Sequence, residues 1–153
     1  MADFDFGVDQ MMYLVRQCQF PWLIGNVFDP TTGGKPLGGG LQTCVLTASN
    51  GIKIGLLGLA EKFVRHGPAD FREWLDTINS LPPNLTFIPP AEMAKELVPK
   101  LREQGAEIIV ALTHMREPND VLLANSVPEG LIDIILGGHD HYVSRSHAGG
   151  ADQ

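Results

Sequence analysis

Two apolar runs in the second half of the chain carry the strongest pattern. Residues 106–114, AEIIVALTH, and 131–141, LIDIILGGHDH, are almost continuous in aliphatic side chains, and each closes on histidine. Unbroken apolar runs of this length predict strands buried on both faces. Between them, residues 117–130, EPNDVLLANSVPEG, predict a helix. Strand, helix, strand predicts a right-handed parallel βαβ unit. Upstream, residues 90–105, PAEMAKELVPKLREQG, predict an amphipathic helix opening at a proline and closing at Gly105. Pro99 inside it should kink or split it.

The first half is more broken. Residues 11–18 predict a short helix, with Met11, Met12, Leu14, Val15 and Cys18 as its apolar positions. Residues 20–27, FPWLIGNV, predict a buried strand. The Gly-, Pro- and Thr-rich stretch that follows, FDPTTGGKPLGGG, predicts an exposed loop. It has neither Walker spacing nor a helix start behind it, so it is no phosphate cradle. Residues 42–60 predict a hairpin turning at Asn50-Gly51, the favoured type I′ pair. Residues 61–80 predict a mixed helix or loop around Phe71, Trp74, Leu75 and Ile78, and a short strand is expected near residues 85–88. The expected class is therefore α/β: a partial sandwich with a mixed sheet, a β-hairpin and a C-terminal parallel βαβ unit. One domain is expected over residues 1–147, with a disordered tail over 148–153.

Composition narrows the function classes. The chain has 153 residues, 44% of them hydrophobic and 19% charged, enough for one core. A net charge of −7 and the lack of a basic run exclude a phosphate-tracking surface for duplex nucleic acid. No apolar stretch approaches the roughly 20 residues that span a bilayer, and the acidic start MADFDFGVDQ lacks a signal-peptide pattern. A non-membrane, cytoplasmic protein is expected. Cys18 and Cys44 make no disulfide framework and are expected to be buried free thiols. An Asn-x-Thr sequon stands at Asn84.

The chemistry gathers at the strand ends. Parallel strands joined by a helix finish on the same sheet edge, where open α/β sheets place their ligands. His114 closes one strand, and His139 and His141 follow the other. Gly137 and Gly138 let the backbone turn there. Three convergent imidazoles predict a divalent metal site, with zinc, manganese, iron or nickel all suited to nitrogen ligands. Asp140 is the candidate acceptor that would fix the second nitrogen of a ligating ring. His66 and His147 have no such context. Residues 25–29, GNVFD, imitate a metal motif, but they stand where a strand enters a loop.

The segments ALTHMREPND and IDIILGGHDHY, with DFDFGVDQ, FPWLIGNV and SNGIKIGLLGLAE in order before them, resemble the calcineurin-like metallophosphoesterase family, and its 5′-nucleotidase branch in particular. The resemblance implies a two-sheet α/β sandwich and a metal-dependent phosphoester hydrolase acting on a nucleotide or another phosphomonoester. In that chemistry two ions about 3.5–4 Å apart clamp the phosphoester during attack on phosphorus. It implies that His114 and His139 hold one ion and that His141 holds the other. The family's early Asp-x-His, Gly-Asp and Gly-Asn-His motifs are absent from the sequence. The chain thus resembles an N-terminally truncated family domain with at most a partial site and no assigned catalytic residue. The alternative is a non-catalytic metal-binding or interaction module of the same descent. A sheet edge left uncovered would favour a homodimer.

Overall fold

The computed structural model describes residues 7–61, 85–141, 143–145 and 147. The chain opens with α1 (Gly7–Val15), followed by the short strands β1 (Val27–Asp29) and β2 (Lys35–Pro36). The hairpin strands β3 (Thr43–Thr47) and β4 (Lys53–Ala60) come next, then β5 (Thr86–Phe87). The remainder is α2 (Pro90–Glu103), β6 (Ile108–His114), α3 (Glu117–Ser126) and β7 (Ile134–Leu136).

Two sheets form. The smaller is antiparallel with order β2-β1-β5, and the larger is mixed with order β3-β4-β6-β7. In the larger sheet β3 runs antiparallel to β4, while β4, β6 and β7 are parallel. The α/β class, the hairpin and the βαβ unit all stand as expected.

One face of the mixed sheet is sealed by α2. Met93, Ala94, Leu97, Val98 and Leu101 recur at helical spacing and are all buried. They meet Leu57, Leu59, Ile109 and Ala111 from β4 and β6, with Leu123 of α3 and Met115 beside them. Of the expected kink or split, the split does not occur: α2 runs unbroken through Pro99. Pro99 is on the exposed side of the helix. The carbonyl that loses its N–H partner there belongs to Lys95, also exposed, so water can satisfy it.

A second cluster, Met11, Val27, Leu37 and Ala60, joins α1 and the small sheet to the end of β4. Residues 20–27 do not make the expected regular strand. They form an extended segment held by single contacts: Leu23 bridges Leu41, and the Ile24 N–H donates to Leu41 O. The glycine-rich stretch is likewise not a plain exposed loop. It contains β2 and two short turns, and Leu37 within it is fully buried.

Asn26 accounts for the imitation motif. Its side-chain amide donates to Ala60 O at 2.8 Å and Ile88 O at 3.1 Å, and its Oδ1 accepts from the Ala60 N–H at 2.9 Å. Asp29 Oδ1 accepts from the Thr31 N–H in the following turn. Both residues are structural ties.

The hairpin turns differently from expectation. Thr47 pairs with Lys53, and the Ala48 N–H donates to Ile52 O, which leaves a three-residue loop. Gly51 alone takes a positive φ in it, +89°, whereas a type I′ pair would need Asn50 there as well. The free cysteines are half-buried, not buried as expected. Residues 62–84, with His66 and Asn84, and the tail 148–153 lie outside the described residues. No helix among the described residues is long and apolar enough to cross a membrane.

Candidate metal centre

β6 and β7 set the site. Their parallel register pairs Val110 with Ile134, Ala111 with Ile135 and Leu112 with Leu136. An isolated bridge then pairs Met115 with His139, so the same offset carries past Gly137-Gly138. β7 is not the fully buried strand that its apolar run suggested. It is an edge strand, with Ile134 48% and Leu136 54% exposed. Apolar content reports what a run could bury, while sheet position decides what it does bury.

The rings of His114 and His139 lie against one another. Their centroids are 5.4 Å apart with the planes tilted by 55°. A tetrahedral ion bound at about 2.1 Å by two imidazoles would put the ring centres about 5 Å apart. The observed centroid spacing is close to that value. His139 reaches this position with φ at +82°, the one non-glycine positive φ among the described residues. Holding such a conformation costs on the order of 1–3 kcal/mol and concentrates at functional sites.

His141 does not complete a triad. Like His139 it is exposed, and among the described residues no group of three or more His, Cys, Asp or Glu side chains is gathered to hold an ion. Asp140 Oδ2 accepts from the Glu117 N–H at 2.6 Å, at the first residue of α3. That bond pins the chain to the helix N-terminus, where a carboxylate is favoured, and His141 follows beyond it. His147 is exposed.

Several residues that the sequence pattern did not single out brace the pair. Thr113 Oγ1 donates to Asp120 Oδ1 at 2.6 Å and lies 3.4 Å from Leu136 O. A Cβ on Gly137 would come within 2.6 Å of Asp120 Oδ2, so a side chain there would push that carboxylate aside. Burial pushes the Asp120 carboxyl above its ordinary value, and the negative charges of Asp140, Glu61 and Glu117 add to this against the Thr113 bond.

Glu61 follows β4, whose last residue, Ala60, pairs with His114. It accepts from the Arg116 N–H and guanidinium, with an ion-pair distance of 3.0 Å, and from the Asn119 amide. Burial raises its carboxyl, but these bonds outweigh burial and hold it below the ordinary value. The only sequence signal for Glu61 was a carboxylate directly after a strand run.

An apolar cleft of about 210 Å³ opens beside the pair, lined by Met11, Trp22, Ile24, Leu112, Leu136 and His114. That is below the roughly 300 Å³ at which drug-sized ligand pockets begin, so a whole nucleotide would extend beyond it.

The chain is 32% identical over 149 residues to a 5′-nucleotidase of Vibrio vulnificus, matching 90% of this chain. It is 31% identical over 160 residues to a 2′,3′-cyclic-nucleotide 2′-phosphodiesterase/3′-nucleotidase of Yersinia enterocolitica, matching 92% of this chain. The chain belongs to the calcineurin-like metallophosphoesterase family, on its 5′-nucleotidase branch. It spans about 24% of the Vibrio protein and 22% of the Yersinia protein. Among solved structures, a calcineurin-like phosphoesterase from Bacillus subtilis superimposes with a TM-score of 0.69 at 23% identity, over 95% of this chain and 45% of that one. A 5′-nucleotidase precursor from Thermus thermophilus gives 0.66 at 23% identity, over 90% of this chain and 24% of that one. These two likenesses establish the metallophosphoesterase fold. No protein-family profile matches the chain.

Proposed function

We propose that this chain is a metal-dependent phosphoester hydrolase module of the 5′-nucleotidase type, in which His114 and His139 hold one divalent ion. The observation that carries the reading is the 5.4 Å separation of the two rings at adjacent parallel strand ends. The names of the Vibrio and Yersinia relatives support a nucleotide-like phosphomonoester as substrate. Zinc, manganese, iron or nickel suits the nitrogen donors. A bound ion supplies charge neutralisation at the phosphoryl oxygens and lowers the pKa of water.

The chain's own residues orient and confine. β6 and the Gly137-Gly138 turn present the two rings, and Asp140 ties their loop to α3. Leu112, Leu136 and Trp22 wall the apolar side. His141 joins a second ion only if further ligands come from outside the described residues. The test is release of inorganic phosphate from AMP at high protein concentration with zinc or manganese. Turnover that disappears in His114→Ala is expected, and no turnover with either ion contradicts the hydrolase reading.

The open face of the sheet favours a second reading, a non-catalytic module that binds one ion and self-associates. Leu112, Ile134 and Leu136 stand exposed together on β6 and β7, and among the described residues the outer side of β7 is an open edge. Such an edge favours a homodimer. A monomeric mass at micromolar concentration would remove the dimer from this reading.

A further inference from the structure

We propose that Asp120 is a positioning residue that clamps the two histidine-bearing turns together, an inference that rests on His114 and His139 binding an ion. Three contacts converge on its carboxylate and its partner Thr113. Thr113 precedes His114 in β6, and its hydroxyl donates to Asp120 Oδ1 at 2.6 Å. The same hydroxyl lies 3.4 Å from Leu136 O, the last residue of β7. Asp120 Oδ2 fills the space that a side chain at Gly137 would need, two residues before His139. A Cβ at Gly138 would lie 3.2 Å from Thr113 O, so the second glycine packs on the same strand end.

Asp120 thus meets the chain just before each histidine. Its backbone belongs to α3, and Asp140 ties the far side of the His139 turn to the first residue of that helix. The loop is therefore held on both sides of His139. This bracing supplies what the φ of +82° at His139 requires, because a strained backbone persists only where its surroundings fix it. Removing one tie should let the turn relax and carry His139 away from His114. Supporting residues around ligating histidines commonly contribute 10–100-fold to metal affinity.

The experiment is zinc titration by calorimetry, using zinc alone, on the wild type and four variants. Asp120→Ala is expected to weaken zinc binding roughly tenfold or more. Asp120→Asn keeps an acceptor for the Thr113 hydroxyl and is expected to restore affinity to within about threefold of wild type. Thr113→Val should match Asp120→Ala, and Thr113→Ser should match the wild type. Loss of packing alone would not be rescued in this pairwise way.

A second readout needs no metal. Nuclear Overhauser contacts between the His114 and His139 rings should be present in wild type and Asp120→Asn and absent in Asp120→Ala. Unchanged zinc affinity together with retained inter-ring contacts in Asp120→Ala would overturn the clamp. If the wild type takes up no zinc, the metal reading fails, and the inter-ring contacts still decide the clamp. If Asp120→Ala does not unfold cooperatively, the Thr113→Val and Thr113→Ser pair decides it.

Discussion

The mixed sheet has two unlike faces. On one, Leu57, Leu59, Ile109 and Ala111 meet the apolar stripe of α2 and are almost fully buried. On the other, Leu112, Ile134 and Leu136 stand partly in water beside α1 and the apolar cleft. Strand alternation makes this split inevitable, because neighbours along β6 point to opposite faces. His114 follows Val110 and Leu112 on the open face, so the candidate metal centre belongs to the uncovered side. The closed face holds the fold together, and the open face is where binding, of an ion or of another chain, has surface left to use.

The largest expected contrast comes from truncating one side chain on each face. Ile109→Ala should lower unfolding stability by about 2–5 kcal/mol, and Leu136→Ala by less than about 1 kcal/mol. Urea unfolding monitored by circular dichroism gives both, and equal losses would erase the contrast.

Next is the tie between the sheets. Asn26→Ala leaves the Ala60 N–H, Ala60 O and Ile88 O without their side-chain partner. Unsatisfied buried groups cost about 1–3 kcal/mol each, so a loss of about 3 kcal/mol is expected by the same measurement. A loss below about 1 kcal/mol would show that Asn26 does not join the faces.

A smaller effect concerns association. Leu112→Glu with Leu136→Glu should shift any concentration-dependent dimer toward monomer at least tenfold in sedimentation equilibrium, with little change in unfolding midpoint. The same substitution at Leu57, on the closed face, should instead unfold the chain.

The smallest expected effect is electrostatic. Glu61 is held below its ordinary value, so the stability it contributes is present above the usual glutamate pKa of about 4.3 and is lost as pH falls through the lower folded value. Asp120 is raised, so it has the opposite sign: it favours folding below the usual aspartate pKa, and that contribution is lost as pH rises through the folded value. Glu61→Gln should flatten the acid loss of stability in urea midpoints measured between neutral pH and about pH 3. An unchanged acid limb would refute the role given to its Arg116 and Asn119 bonds.

The βαβ unit and its two histidines were legible in the sequence because local signals carry them. Continuous apolar runs mark β6 and β7, a helix lies between, and parallel strand ends must share an edge. The family resemblance, carried by the same segments, pointed to the same residues. What stayed hidden depends on distant partners. Residues 20–27 look like a strand, but their partners are single bridges to Leu41 and Gly58. The exposure of Ile134 and Leu136 follows from the open face they share with Leu112, which the run's own residues do not encode. Glu61 and Asp120 do not stand out in the sequence because their partners lie 55 and 7 residues away.

The most direct test of the two-histidine site is a zinc titration of the wild type beside the His114→Ala, His139→Ala double variant. One ion per chain is expected for the wild type, lost in the double variant with the fold retained by circular dichroism. Equal zinc uptake by the two proteins would contradict the assignment of the centre to these rings.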